Sequence, residues 1–522
     1  MIHFVDKGCP QEIQSFLTHP KNFSSVIPAK RGKQEQNMLY KVDLSRLLSI
    51  GIILSWLAAC SGVPPEDYED LIAEGQFARA RQVIEDIIKH DSSLSPQDNL
   101  GLQFELERME RIRKDFTQTK EEVVAYVMKI MPDIGASRIR SWEASRALEH
   151  MFIDGEKRYF KYAGRNLFRI DKEAKAAWEA EHADEQQTAG TGAAIDMDVH
   201  NAAVIAASMQ TGRQYVEPVR LRIRQSVRIQ PGEVPAGEII RCWIPFPRGI
   251  PDRQEKIRLI LTDPEIRLIA SNERNLQRTI YFEKSAQDSI PTQFIVEYEY
   301  TSHGSYTQIN PALVRPAVAT SALAPFIAEE PPHIVFTPAI RELSGEIVGD
   351  EANPYLVARK LFEWVDINIP WASAREYSTI RNISSYAYEN MHGDCGIQTL
   401  LFITLCRLNG IPARWQSGWE FEPPDDSMHD WGMIYFEPYG WVPMDVTYGL
   451  RDTDDEQLRW FYLQGMDSYR LVFNDAYSQE FYPAKIHPRS ETVDSQRGEV
   501  EWRGGNLYFD QWSWGFDWEV IE

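Results

Sequence analysis

Cys395 stands in a setting that could make its thiol reactive. It lies in the turn Gly-Asp-Cys-Gly (393–396), directly before an apolar run that is typical of a helix and ends at Asn409-Gly410. A thiol in the first turn of a helix lies beside unpaired backbone N–H groups and the positive end of the helix dipole. Both favour the thiolate, so this position predicts a lowered thiol pKa and a nucleophile.

Two later residues, His429 and Asp445, supply the other groups that such a nucleophile needs. Acyl transfer through a thiol requires a base to take the proton and a group to orient that base. His429 opens an apolar segment (429–436) that is typical of a strand, and Asp445 ends the next one, after a Pro-Tyr-Gly turn (438–440). A helix carrying Cys395 beside a hairpin carrying His429 and Asp445 could bring the three side chains together.

The order of these segments resembles the core of the transglutaminase-like superfamily. The resemblance rests on Gly-Asp-Cys-Gly, Leu-Asn-Gly-Ile-Pro-Ala-Arg (408–414), Ser417-Gly418, His429 and Trp-Val-Pro-Met-Asp (441–445), and covers about residues 334–450. The superfamily includes transglutaminases, peptide N-glycanases and many bacterial members regarded as cysteine peptidases. The resemblance implies a papain-like core, with a catalytic helix packed on an antiparallel sheet. It also implies Cys395 as nucleophile, His429 as general base and Asp445 as the orienting carboxylate.

Each member of this triad has a structural alternative. Free cysteine is among the most buried residue types, so Cys395 could be an inert core thiol. His429 could be a strand histidine with a satisfied ring, and Asp445 could cap a turn. Taken singly these alternatives would prevail, but the three residues in this order favour the triad.

Other candidates near the site receive separate assignments. An oxyanion would need two donors, for which the Cys395 backbone N–H and Trp371 are the candidates. His392 has no role in the family pattern, and Arg414 is expected to be a structural ion-pair partner. Cys406 lies about three helical turns after Cys395, roughly 16 Å away and too far for a disulfide, so it is expected in the core. Cys242, in the middle of a strand pattern, is also expected to be a core thiol.

The segment from Met38 to Cys60 has the layout of a bacterial lipoprotein signal. Lys41 and Arg46 precede an uncharged run from Leu47 to Ala59, which is shorter than the roughly 20 residues of a membrane-spanning helix. It ends in Leu-Ala-Ala-Cys (57–60), which resembles the lipobox, and Cys60 would then be the lipidated residue. The alternative is a buried N-terminal helix with a chance cysteine.

Composition changes along the chain predict a multidomain α+β protein. Residues 1–59 read as an upstream extension with the signal peptide at 38–59, and 60–180 as a helical region. A polar, Ala- and Gly-rich linker (181–214) leads to a small β-sandwich-like domain (215–303) and a Pro-containing connector (304–333). The catalytic core is expected at 334–480, followed by aromatic-rich strands at 481–522.

Composition and charge argue against several classes of protein and of binding site. The 522 residues are 43% hydrophobic, which excludes global disorder, and the net charge of −22 without a basic patch argues against nucleic acid as a partner. Five cysteines in a chain of this length do not form a disulfide framework. The histidines and cysteines lack metal-ligand spacing, and no glycine-rich phosphate loop is present, so neither a metal nor a cofactor is expected.

These observations predict a cell-envelope enzyme, on the periplasmic or surface side, held to the membrane by a lipid anchor. Its expected activity is hydrolysis of an amide bond in a peptide, a glycopeptide or a cell-wall peptide. The alternatives are an acyl transferase that cross-links proteins and a non-catalytic envelope lipoprotein that binds a partner.

Overall fold

A computed structural model describes residues 67–182 and 195–521. The predicted extension, signal peptide and lipidated Cys60 lie outside these residues. The described residues divide into two compact units, the first formed by residues 67–102 together with Met151–Lys157, and the second by Gln103–His150 with the remaining described residues. Within the described residues no helix has the length and apolarity that a membrane crossing requires.

Residues 67–182 are mainly helical, as the sequence predicts, and a further helix lies at 197–211, within the segment predicted as a linker. Gly75 connects the first two helices with a φ of 73°, a left-handed conformation that favours glycine. Thr119 and Glu122 form a capping box, in which each side chain bonds the backbone N–H of the other. The helices are α1 (Tyr68–Ala73), α2 (Phe77–His90), α3 (Pro96–Asp115), α4 (Lys120–Val127), α5 (Ala136–Ala144), α6 (Ala163–Ile170), α7 (Lys172–Glu181) and α8 (Met197–Thr211), with short strands β1 (His150–Ile153) and β2 (Glu156–Tyr159).

Two antiparallel sheets follow and share one hydrophobic cluster. Apolar residues alternate along 219–229, a pattern that predicts a strand, and this segment lies within β3. Leu221 and Ile223 of β3 belong to the same hydrophobic cluster as Cys242 and Phe282 of the other sheet. The strands are β3 (Tyr215–Ile229), β4 (Ile239–Pro245), β5 (Gln254–Asp263), β6 (Leu268–Ile269), β7 (Thr279–Ser285) and β8 (Thr292–Tyr306).

The aromatic C-terminal strands complete these same two sheets. Strand β16 (Trp512–Val520) pairs antiparallel with β3, and β14 (Glu499–Trp502) pairs with β4 and with β15 (Gly505–Leu507). Of the aromatic residues on β16, Trp512 is buried, whereas Trp514 is 43% exposed. The chain thus returns to the β domain after passing through residues 334–480.

The core consists of helices packed against a four-stranded antiparallel sheet, and the predicted α+β class is confirmed. The sheet has the order β11-β10-β9-β13, with β9 (Ala413–Glu422), β10 (Asp425–Phe436), β11 (Gly440–Met444) and β13 (Arg470–Asn474). A further short strand, β12 (Gly465–Met466), pairs with β8. The helices are α9 (Pro338–Val348), α10 (Pro354–Asn368), α11 (Ile383–Asn390), α12 (Cys395–Leu408), α13 (Glu456–Arg459) and α14 (Phe461–Gln464).

Helix α12 is the centre of this core. Every residue from Gly396 to Arg407 is buried, and the helix contacts both β9 and β10. Such a helix is apolar on all sides because it is surrounded by protein. It presents Cys395 at its first turn, while His429 lies on β10 and Asp445 directly follows β11.

Candidate active site

Cys395 is the first residue of α12, and its surroundings fix its position. Asp394 is the N-cap, whose carboxylate accepts a hydrogen bond from the Ile397 N–H at 3.1 Å. The Cys395 thiol donates a hydrogen bond to Asp430 Oδ2 on β10, over 3.4 Å. Taken as a whole residue, Cys395 is half-buried.

The electrostatic setting of this thiol differs from the sequence-based expectation. Burial of the sulfur among protein atoms raises the pKa of Cys395 well above its ordinary value, and the carboxylates of Asp430 and Asp394 raise it further. The expected lowering of the thiol pKa is therefore wrong for this arrangement. Burial and two adjacent acids outweigh the helix terminus, and a group that accepts the thiol proton becomes more important.

Asp430 lies at the centre of a buried acidic network. Its Oδ2 also accepts a hydrogen bond from the Tyr377 hydroxyl at 3.1 Å, and its Oδ1 accepts one from Gln496 Nε2 at 2.9 Å. Burial and then Asp394 raise the pKa of Asp430 to about 7. Burial also raises the pKa of Asp494 well above its ordinary value, and its carboxyl group shares a hydrogen bond with that of Asp430.

His429 is paired with Asp445. The imidazole Nε2 lies 2.7 Å from Asp445 Oδ2, and both side chains are buried. With Nε2–H donated to the carboxylate, Nδ1 of the neutral ring carries the free lone pair of a base. Burial alone would lower the pKa of His429, but Asp445 and Glu420 outweigh burial and raise it. Burial would raise the pKa of Asp445, but His429 and Arg470 keep it below its ordinary value.

Glu420 and Arg470 complete the surroundings of His429. Glu420 Oε2 lies 3.6 Å from His429 Nε2 and 3.3 Å from Arg470 Nη1, and burial raises the pKa of Glu420 to about 7. Arg470 Nη1 also lies 2.9 Å from Asp445 Oδ2, while its Nε bonds Asp467 at 2.9 Å. One guanidinium thus balances three buried carboxyl groups around the imidazole.

The structure brings His429 to Asp445 but places Cys395 against Asp430. Consecutive strand residues project to opposite faces of a sheet, so His429 and Asp430 point in different directions. Among the described residues, Asp430 is the side chain that hydrogen-bonds the thiol, and no hydrogen bond joins Sγ to the imidazole. The triad therefore stays a prediction, with two of its members in contact.

Glu420, His429 and Asp445 also have the composition of a metal site. Their ligand atoms lie within 4.8 Å of one another. However, the Arg470 guanidinium is in contact with both carboxylates and already supplies the positive charge that a divalent ion would bring. We therefore assign the three residues to the charge network around His429.

The N-terminal helix α6 holds the segment that precedes Cys395. Asn166 makes two hydrogen bonds with the backbone of Ser373, at 2.8 and 3.0 Å. The Arg169 guanidinium lies 4.3 Å from the ring centroid of Trp371, and Trp371 pairs as a parallel bridge with Gly393. Trp371 thus lies beside the turn that carries Cys395, on a segment braced by α6.

The remaining sequence candidates lie in structural roles. His392 Nδ1 bonds the Asn390 carbonyl at 2.8 Å, and burial lowers the pKa of His392 to about 4. Arg414 pairs with Asp475 at 2.9 Å, as an ion-pair partner should. Cys406 and Cys242 are fully buried, and burial raises both thiol pKa values.

Comparison with known proteins supports the family resemblance. Residues 341–446, which include Cys395, His429 and Asp445, match the family model described as the transglutaminase-like superfamily. A protein from Cytophaga hutchinsonii, provisionally described as a cysteine protease, has 15% identity over 59% of this chain and 92% of its own, with a TM-score of 0.41. The periplasmic domain of TgpA from Pseudomonas aeruginosa has 14% identity over 46% of this chain and 90% of its own, with a TM-score of 0.23. No curated protein matches the chain.

Proposed function

We propose that this chain, which carries a transglutaminase-like domain over residues 341–446, is a cysteine enzyme that hydrolyses an amide bond. The observation that carries the proposal is the geometry within that domain. A half-buried cysteine lies at the first turn of a buried helix, and a histidine–carboxylate pair lies on the sheet against which that helix packs. These are the components of nucleophilic catalysis by cysteine.

The proposed reaction has two stages. Cys395 attacks the carbonyl carbon of the amide, the amine leaves with a proton, and a thioester on Sγ remains. Water then attacks the thioester, and the acid is released. His429 is the general base, and Asp445 holds it with Nε2 protonated. The N–H of a helix's first residue has no intrahelical acceptor, so the backbone of Cys395 can bind the oxyanion, with Trp371 as the candidate second donor.

The substrate class that we propose is a peptide, a glycopeptide or a cell-wall peptide. We further propose that Cys60 is lipidated and holds the enzyme at the cell envelope. Metabolic labelling with an alkyne fatty acid tests this anchor, since the label should attach to the full chain and be lost in Cys60→Ser. An unlabelled wild-type chain contradicts it.

A comparison of wild type with Cys395→Ala on a panel of peptide amides tests the activity, with and without a primary amine. Cleavage that is lost in Cys395→Ala supports the hydrolase. Incorporation of the amine in place of cleavage identifies a transferase instead. Equal behaviour of the two proteins on every peptide removes the catalytic proposal and favours a binding lipoprotein.

A further inference from the structure

The nucleophile and Asp430 form a contact that the triad does not use. Cys395 Sγ donates to Asp430 Oδ2 over 3.4 Å, and the backbone of Asp430 also bonds the thiol. A group that takes a proton in catalysis must lie within hydrogen-bond reach of that proton. Among the described residues, Asp430 is the acidic or basic side chain that meets this condition for Cys395.

The Asp430 carboxyl group is held in a fixed orientation. Tyr377 donates to the same oxygen as the thiol, at 3.1 Å, and donates to Asp394 Oδ1 at 2.8 Å. Gln496 fixes the other oxygen at 2.9 Å, so both oxygens have defined partners. Gly396 makes this close approach feasible, because a Cβ there would overlap Tyr377 and lie 2.7 Å from Asp430 Oδ2.

Building on the proposed function, we propose that Asp430 is a further catalytic residue, which accepts the thiol proton of Cys395 when the sulfur attacks the acyl carbon. The S–H bond breaks, the proton moves to Asp430 Oδ2, and the sulfur forms the bond to carbon. When the bond between carbon and the leaving nitrogen breaks, the proton passes from Asp430 to that nitrogen. The carboxylate is then restored, and His429 with Asp445 serves the water that resolves the thioester.

The charges around Asp430 place its ionisation near neutrality. Asp394 faces it from the helix cap, and Asp494 faces it from the segment before β14, with Arg497 beside Asp494. Burial and Asp394 raise the pKa of Asp430 to about 7, while the hydrogen bonds from Asp494, Cys395 and Tyr377 lower it. Because a base acts only when deprotonated, acylation of Cys395 should increase as the pH rises through about 7.

The test uses p-nitrophenyl acetate as an acyl donor that requires no knowledge of the natural substrate. The rate of acetylation at Cys395 is measured against pH by mass spectrometry of the peptide that contains it. The wild-type rate should show an inflection near pH 7, which is about the pKa of Asp430. Asp430→Asn should lack this inflection, with acetylation increasing only at the higher pH where the buried thiol itself ionises. His429→Gln should keep the inflection near pH 7 but should accumulate acetyl-enzyme, because His429 is assigned to hydrolysis of the thioester.

Control variants distinguish the possible outcomes of the acetylation test. Asp425→Asn, at the exposed start of the same strand, should match wild type. If Asp430→Asn fails to fold by circular dichroism, Tyr377→Phe replaces it: loss of one hydrogen bond to Asp430 should move the inflection to higher pH. An inflection that persists in Asp430→Asn, or does not move in Tyr377→Phe, overturns the inference. If wild-type Cys395 is not acetylated at any pH, the proposed function itself fails, irrespective of Asp430.

Discussion

Glu420 and Arg470 lie directly opposite each other on β9 and β13, with Oε2 and Nη1 3.3 Å apart, and both reach the imidazole–carboxylate pair of His429. Glu420 is thus a second carboxylate on His429 Nε2, at 3.6 Å. Its effect is opposite to that of Arg470: the carboxylate favours the imidazolium, whereas the guanidinium opposes it. The pKa of His429 is therefore set by a balance of these charges rather than by Asp445 alone.

Glu420→Gln should lower the pKa of His429, because a negative charge that favours the imidazolium is removed while Arg470 remains. A base with a lower pKa is deprotonated at lower pH, so the acidic limb of the deacylation rate should move to lower pH. Release of acetate from acetyl-Cys395 as a function of pH measures this shift.

The matched control is Asp425→Asn, which removes a carboxylate from an exposed position of the neighbouring strand β10. It should leave the acidic limb in place. If the acidic limb in Glu420→Gln moves to higher pH or stays at the wild-type pH, the proposed charge balance is contradicted.

Arg470→Met should strongly destabilise the fold. The substitution leaves Asp445, Glu420 and Asp467 buried without their shared cation, and removal of one partner of a buried ion pair typically costs about 3–5 kcal/mol. The free energy of unfolding, measured with urea at pH 7, should fall by about that amount. The loss should shrink as the pH decreases, because without Arg470 the carboxyl pKa values rise and protonation removes the unpaired charges.

Arg258→Met provides the comparison for an ion pair whose carboxylate keeps other partners. Arg258 is 63% exposed and bonds the buried Glu299, which also pairs with Arg220 and Arg222, so loss of Arg258 should cost only about 0–1 kcal/mol. A loss in Arg470→Met that is no larger than that in Arg258→Met would show that the buried network contributes little to stability.

Much of the fold follows from local sequence patterns. The alternation in 219–229 and the apolar run after Cys395 predict β3 and α12, and both are confirmed. The pairing of β16 with β3 and of β14 with β4 was beyond such reasoning. Partner choice between distant strands depends on packing across the whole domain, and a single alternating segment does not specify it.

The candidate site, too, could be predicted from the sequence only in part. His429 and Asp445 were singled out by type and order, and they are hydrogen-bonded. Glu420 and Arg470 were missed, because only the register of β9 and β13 brings them to the imidazole. The position of Asp430 could have been predicted in part, because the residue next to His429 on a strand must face the opposite side of the sheet. The direction of the thiol pKa depends on burial, which the spacing of residues does not contain.

Asp394→Asn should make the Cys395 thiol more acidic. Asparagine caps a helix about as well as aspartate, so the hydrogen bond from the Ile397 N–H should be kept. The negative charge that raises the pKa of Cys395 is lost. Alkylation of Cys395 by iodoacetamide, resolved by peptide mass spectrometry, should therefore reach half-maximal rate at a lower pH than in wild type.

Asp394→Ala serves as the control for capping, because it removes both the charge and the cap. It should shift the alkylation profile in the same direction, but it should also cost about 1 kcal/mol of stability. An alkylation profile in Asp394→Asn that is unchanged or moves to higher pH contradicts the role assigned to the Asp394 charge.

A pair of glycine-to-alanine substitutions tests the crowding around the nucleophile. Gly396 and Gly345 both lie in helices, where alanine is favoured by about 1 kcal/mol. At Gly345 a Cβ meets nothing within 4 Å, so Gly345→Ala should stabilise the protein and leave activity unchanged. At Gly396 a Cβ would displace Tyr377 and Asp430, so Gly396→Ala should slow the acetylation of Cys395 despite the better helix propensity. Equal acetylation rates in the two variants would show that this contact with the acidic network does not matter for the thiol.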